Sequence, residues 1–218
     1  MWTIVVAGGS GRRFGRAKQY ETLGDKRIID VSRSVAESAS QGVVLVVPAA
    51  DVAAESGVAG GATRSDSVRA GLAAVPQDAD VVCVHDAARP LASVALYHRV
   101  IDAIAAGADA AVPGLAVTDT IKVIDTATAD GAVLGEVTAT PDRSTLVAVQ
   151  TPQAFRADAL RAAHRAGGDA TDDAALVEAA GGRVVVVEGD PMARKITTPD
   201  DLQWARAQVE TSRPETSR

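Results

Sequence analysis

The chain has 218 residues, 47% of them apolar but only 3% aromatic, and a formal net charge of −6. That length suits one domain with a core of branched aliphatics, and the acidic balance excludes the basic excess of a nucleic-acid binder. A single cysteine, Cys83, excludes an intrachain disulfide, and no apolar run approaches the ~20 residues of a membrane span.

Short valine-rich runs alternate with longer alanine-rich amphipathic stretches, the pattern of an open, mostly parallel sheet covered by helices. Trp2 to Ala7 reads as the first strand, and Gly8 to Lys18 as a glycine- and arginine-rich loop. Glycines after a strand let backbone amides approach a phosphate, since no Cβ intervenes. Arg12, Arg13, Arg16 and Lys18 place cations in that same loop. No register supplies the P-loop pattern, and Gly9, Gly11 and Gly15 miss the dinucleotide spacing by one residue. A plain strand-to-helix turn with solvated arginines is the bland alternative.

Farther along, Ile28 to Ala39 is predicted helical, Gly42 to Val47 a strand, Gly60 to Thr63 a loop, and Arg64 to Ala74 a helix. Asp80 to Val84 reads as a central strand with Cys83 as a buried thiol, its apolar run stopping at His85-Asp86. Ligands of open α/β sheets bind beyond the carboxyl ends of strands, so Asp86 is a candidate for a metal ion or a hydroxyl. Arg89 is a candidate for phosphate, or for pairing with a neighbouring carboxylate. Ser93 to Ala106 is predicted helical and Ala108 to Val112 a strand. From Val117 to Thr140, β-branched residues alternate with polar ones around Asp125 to Gly131, which predicts a protruding hairpin arm. Helices follow near Ala157 to Ala166 and Thr171 to Ala180, then a strand from Arg183 to Glu188. The last helix starts near Pro199 with Thr198 as its cap. The expected organisation is one domain over 1–210, its arm at about 117–140, and a polar tail at 211–218. The first residues lack a basic stretch followed by a long apolar one, so the expected location is cytoplasmic, without membrane or nucleic-acid partners.

Taken together, AGGSGRRFGRAKQY (Ala7 to Tyr20), VHDAARP (Val84 to Pro90) and GGATRSDSVRAGL (Gly60 to Leu72) resemble the 2-C-methyl-D-erythritol 4-phosphate cytidylyltransferase family. VTDTIK (Val117 to Lys122), VQTPQAF (Val149 to Phe155), TDDAALVEAAGG (Thr171 to Gly182) and VEGDPMARKITTPDDL (Val187 to Leu202) follow in the order of that family. The resemblance implies a Rossmann-like nucleotidyltransferase fold and CMP transfer from CTP to a small polyol phosphate. It implies that Ala7, Gly8, Gly9, Ser10 and Gly11 cradle the CTP phosphates, which Arg13, Lys18 and Lys195 neutralise. Gly61, Ala62 and Ser67 would surround cytosine and ribose, Asp86 would lie near Mg²⁺ and the ribose or substrate, and Arg89 beside it. Thr120, Arg143 and Thr151 would hold the polyol phosphate, with Thr120 and Arg143 serving a partner subunit of a homodimer through the arm. On local grounds alone Thr120 reads as β-propensity, Ser67 as a helix-start residue and Lys195 as a solvated lysine. Two features depart from the family: the Arg13 to Lys18 spacing is shorter than in many members, and Ala62 stands where an acid is common. Ribitol 5-phosphate is the nearest alternative acceptor. A dinucleotide-dependent oxidoreductase and a catalytically silent nucleotide binder are the readings from other classes.

Overall fold

The computed structural model describes residues 1–8, 14, 15, 17–129, 131–168 and 170–211. In chain order the elements are β1 (Trp2–Val6), β2 (Thr22–Leu23), β3 (Lys26–Arg27), α1 (Ile28–Ala39), β4 (Gly42–Val47), α2 (Val52–Glu55) and β5 (Val58–Ala59). Next come α3 (Arg64–Ala74), β6 (Val81–Asp86), α4 (Val94–Ala105), β7 (Ala110–Ala116), β8 (Val123–Asp125), β9 (Glu136–Ala139), β10 (Val147–Val149) and β11 (Gln153–Arg156). The chain closes with α5 (Ala157–Ala166), α6 (Asp173–Ala179), β12 (Val184–Glu188) and α7 (Pro199–Thr211).

Among the described residues one sheet runs β10-β7-β11-β6-β1-β4-β5, with β12 paired to β7. β1 is parallel to both β4 and β6, whereas β11 is antiparallel to β6 and β7. Successive side chains of a strand face opposite ways, and here both faces are covered. Ile4, Val44, Val46, Val82 and Val84 pack with Val68, Leu72 and Leu160 of α3 and α5. Their neighbours Val5, Leu45, Val47 and Cys83 pack with Ile29, Tyr97 and Val100 of α1 and α4. This doubly buried arrangement makes the strands read as continuous apolar runs rather than as alternating ones.

The sequence expectations need three corrections. β6 continues through His85 to Asp86, because β1 pairs with it over its whole length, Val5 opposite His85 and Val6 opposite Asp86. β7 lies at Ala110–Ala116 rather than starting at Ala108, and β12 pairs along it as far as Gly114. The segment 147–156, read only as a motif, supplies β10 and β11, and β11 wedges between β6 and β7. The expected arm is present as the antiparallel pair β8–β9, with Val123, Val133, Leu134 and Val137 exposed on it. The final helix carries its expected cap, Asp201 N donating to Thr198 Oγ1 at 3.3 Å.

Candidate active site

Parallel strands release their chain ends on one side of a sheet, and a cavity of about 470 Å³ opens there, within the size range of small-ligand sites. β1 delivers Ala7 and Gly8 to its wall, β6 delivers Asp86, and the turn entering α3 delivers Gly61, Ala62, Thr63, Arg64 and Ser67. That turn is fixed locally. Thr63 caps α3, its Oγ1 accepting from Asp66 N at 3.1 Å while its own N–H donates to Asp66 Oδ2 at 3.1 Å. Ser67 Oγ accepts from Gly61 N at 3.2 Å and donates to Thr63 O at 3.0 Å. A Cβ on Gly61 would collide with the Asp66 side chain, so only glycine lets the loop fold back this closely.

The fourth wall comes from 195–197, far along the chain. Ile196 is fully buried against Phe14, Leu23, Ile28 and Leu202, and its N–H donates to Ala88 O at 2.8 Å. With Ile196 pinned, Lys195 turns into the cavity and Nζ donates to Asp86 Oδ2 at 2.7 Å. Lys18 reaches the same segment, its Nζ donating to Ile196 O at 2.8 Å. Two lysines from opposite ends of the chain therefore face one cavity.

Asp86 is nearly enclosed, which by itself would favour its neutral form. The cations Lys195 and Arg64 outweigh that burial and hold its carboxyl well below the usual carboxylate range. Arg64 donates to Asp86 Oδ1 through Nε at 3.4 Å and to Asp173 Oδ2 through Nη1 at 2.7 Å. Behind it His164 Nε2 lies 3.0 Å from Asp173 Oδ1, and Asp173 is fully buried. Burial works against the Arg64 charge, but Asp173 and Asp86 overcome it and raise its pKa. Thr151 stands beneath the acid, its Oγ1 accepting from Asp86 N at 3.0 Å and lying 3.1 Å from His85 Nδ1.

Of the sequence candidates, Ala7, Gly8, Lys18, Gly61, Ala62, Ser67, Asp86 and Lys195 line the cavity. Gly9, Ser10, Gly11 and Arg13, with Arg12 and Arg16, lie outside the described residues. Arg89 is turned away: its guanidinium donates to Ala193 O at 2.8 Å and Val149 O at 3.3 Å, bracing the loops beside the site. Thr151 is buried rather than open to the cavity. Thr120 and Arg143 are exposed at the arm, Arg143 Nη1 donating to Thr118 O at 2.6 Å, and neither lines the cavity. Sequence reasoning missed Arg64, Thr63 and Thr197 on the wall and the Asp173–His164 pair behind it. One signal was available for Arg64. A cation in the first turn of a helix opposes the helix dipole and calls for specific acidic partners.

Among the described residues no three His, Cys, Asp or Glu side chains cluster as a metal site. The donor set suits Mg²⁺ in one way, as a lone carboxylate, Asp86, completed by waters and phosphate oxygens.

The family model described as "IspD: 2-C-methyl-D-erythritol 4-phosphate cytidylyltransferase" matches residues 1–211. The 2-C-methyl-D-erythritol 4-phosphate cytidylyltransferase of Rhodococcus jostii is 48% identical, over 95% of this chain and 94% of that protein. The Nocardia farcinica protein of the same name is 46% identical, over 93% and 90%. Among solved structures, the 4-diphosphocytidyl-2C-methyl-D-erythritol synthase of Anaerococcus prevotii superposes with a TM-score of 0.81 at 28% identity, covering 96% of this chain and 95% of that one. The Thermus thermophilus 2-C-methyl-D-erythritol 4-phosphate cytidylyltransferase gives 0.79 at 31% identity, covering 95% and 98%.

Proposed function

The chain belongs to the 2-C-methyl-D-erythritol 4-phosphate cytidylyltransferase family and transfers CMP from CTP to 2-C-methyl-D-erythritol 4-phosphate, and from that premise we propose how its residues divide the reaction. A phosphate oxygen of the acceptor attacks the α-phosphorus of CTP in line, and the α–β bridging oxygen leaves with pyrophosphate. The attacking oxygen is already anionic, so no general base is needed. Positioning and charge stabilisation carry such a displacement.

The observation that carries this division is the convergence of Lys18 and Lys195 on one cavity, tied together at Ile196 and Asp86. Lys195 turns from Asp86 towards the reacting phosphates, and Lys18 and Arg13 neutralise the triphosphate. Ala7, Gly8, Gly9, Ser10 and Gly11 present backbone to the phosphates. Gly61 and Ala62 present backbone to cytosine and ribose, in a loop that Ser67 holds in shape. Thr151 acts from below, fixing the backbone of Asp86, and Arg89 braces the loops beside it. Asp86 would hold Mg²⁺ together with CTP phosphates, and the ion when bound would neutralise phosphate charge. Thr120 and Arg143 would bind the acceptor phosphate in the site of a second copy, joined through the arm, whose exposed Val133, Leu134 and Val137 favour a covered state. The cytoplasmic location expected from the sequence is retained, and cell fractionation tests it.

Lys18→Ala and Lys195→Ala should each lower kcat on the order of 10²–10³-fold with the fold intact. Asp86→Asn should raise the Mg²⁺ concentration needed for half-maximal rate. Near-normal turnover in both lysine variants would remove them from the chemistry, and an unchanged Mg²⁺ requirement would remove Asp86 as its ligand.

A further inference from the structure

Arg64 is where the cavity wall meets a buried acid, Asp173, that does not line the cavity. It opens α3, and its two acidic partners come from other elements, Asp173 from the start of α6 and Asp86 from the end of β6. Each acid has a second partner on its other oxygen: His164 Nε2 at 3.0 Å on Asp173, and Lys195 Nζ at 2.7 Å on Asp86. The groups form one row, His164–Asp173–Arg64–Asp86–Lys195, running from the packed interface of α5 and α6 to the cavity.

The distances rank the two contacts of Arg64. Asp173 is fully buried, and a buried carboxylate without a counter-charge is strongly disfavoured, so Arg64 stays on it at 2.7 Å. Asp86 receives only the longer contact, 3.4 Å through Nε. Arg64 therefore cannot close fully on Asp86, yet it keeps a positive charge beside it. Nη2 is buried and has no hydrogen-bond partner among the described residues, so the guanidinium is held by these two acids alone on its donor side.

Until Mg²⁺ is held there, Lys195 must leave an enclosed carboxylate to reach a phosphate, and that departure is disfavoured if no other protein cation compensates Asp86. We propose that Arg64, anchored by Asp173, is a positioning residue that shares the charge of Asp86 and thereby lets Lys195 move to the phosphates of CTP. The role rests on the assignment of Lys195 above. It gives the buried Asp173–His164 pair a purpose in turnover as well as in packing.

The test is a double-mutant cycle between positions 64 and 195. Arg64→Lys keeps a cation on Asp173, but one ammonium cannot span both carboxylates as a guanidinium fork does. It should lower kcat on the order of tenfold while changing the KM for CTP by less than about threefold. In a Lys195→Ala background the same substitution should change kcat by less than about twofold, because the group it serves is gone. If Arg64→Lys unfolds, the paired change Arg64→Gln with Asp173→Asn removes both charges together and should give the same fall and the same loss of additivity. Wild-type kcat in a folded position-64 variant, or an equal fall in both backgrounds, would overturn the role of Arg64. Normal turnover in Lys195→Ala alone would overturn the assignment beneath it, and that variant is measured first.

Discussion

His85 and Asp86 are neighbours on β6, and alternation sends their side chains to opposite sides of the sheet. Asp86 reaches the cavity, whereas His85 packs in the core with its ring 5.6 Å from that of Tyr97. Burial, with Arg89 nearby and against the pull of Asp86, pushes the imidazole down from 6.5 to about 4. The sign follows from linkage. As pH falls through about 6.5 the unfolded chain takes up a proton that folded His85 refuses until about 4, so stability declines across that window. The loss should reach on the order of 3 kcal/mol, and chemical denaturation at several pH values measures it. His85→Gln should flatten the decline; an equal slope in the variant would show that other groups cause it. Asp86 behaves in the opposite sense. Its depressed pKa keeps its contribution intact through this window, to be lost only in strong acid. Neither behaviour can be read from the string His85-Asp86. It depends on partners such as Lys195, 109 positions from Asp86.

Among the elements, the parallel strands and their covering helices were legible because each carries an unbroken apolar run or a helical period. Gly42–Val47 and Ile28–Ala39 have the predicted bounds for that reason. β11 was not legible: Gln153–Arg156 is four residues with polar ends, and what makes it a strand is the slot between β6 and β7. The arm was legible from its alternation, but alternation did not say which of its faces is dry. Both strands are exposed in the single chain, Val123 at 48% and Val137 at 58%, as is Leu134 between them at 76%. That exposure is the basis for expecting a second copy over the arm. If a second copy covers the arm as proposed, Leu134→Asp with Val137→Asp should convert that dimer to monomer in sedimentation velocity and lower activity, since the proposed reach of Thr120 and Arg143 into the second site would be lost. A wild-type chain that sediments as a fully active monomer would refute the shared site.

At the scale of the whole molecule, the fold brings together residues that no local pattern connects. The glycine loop after β1, the Asp86 end of β6 and the Gly60–Thr63 loop announce themselves as motifs, and Ala7, Gly8, Asp86 and Gly61 of these motifs line one cavity. Lys195 was recognisable only within a longer motif, and its cavity position comes from Ile196 buried beneath α7. Arg64 and Asp173 were within quoted motifs without a role, because their meaning lies in a contact spanning 109 residues. No helix of the described residues is long and apolar enough to cross a membrane. The direct measurement is pyrophosphate release from CTP and Mg²⁺ by the purified chain, with 2-C-methyl-D-erythritol 4-phosphate and ribitol 5-phosphate offered separately. Release that requires 2-C-methyl-D-erythritol 4-phosphate is the predicted result. Silence with that acceptor from folded protein that binds CTP, or release with ribitol 5-phosphate instead, would contradict it.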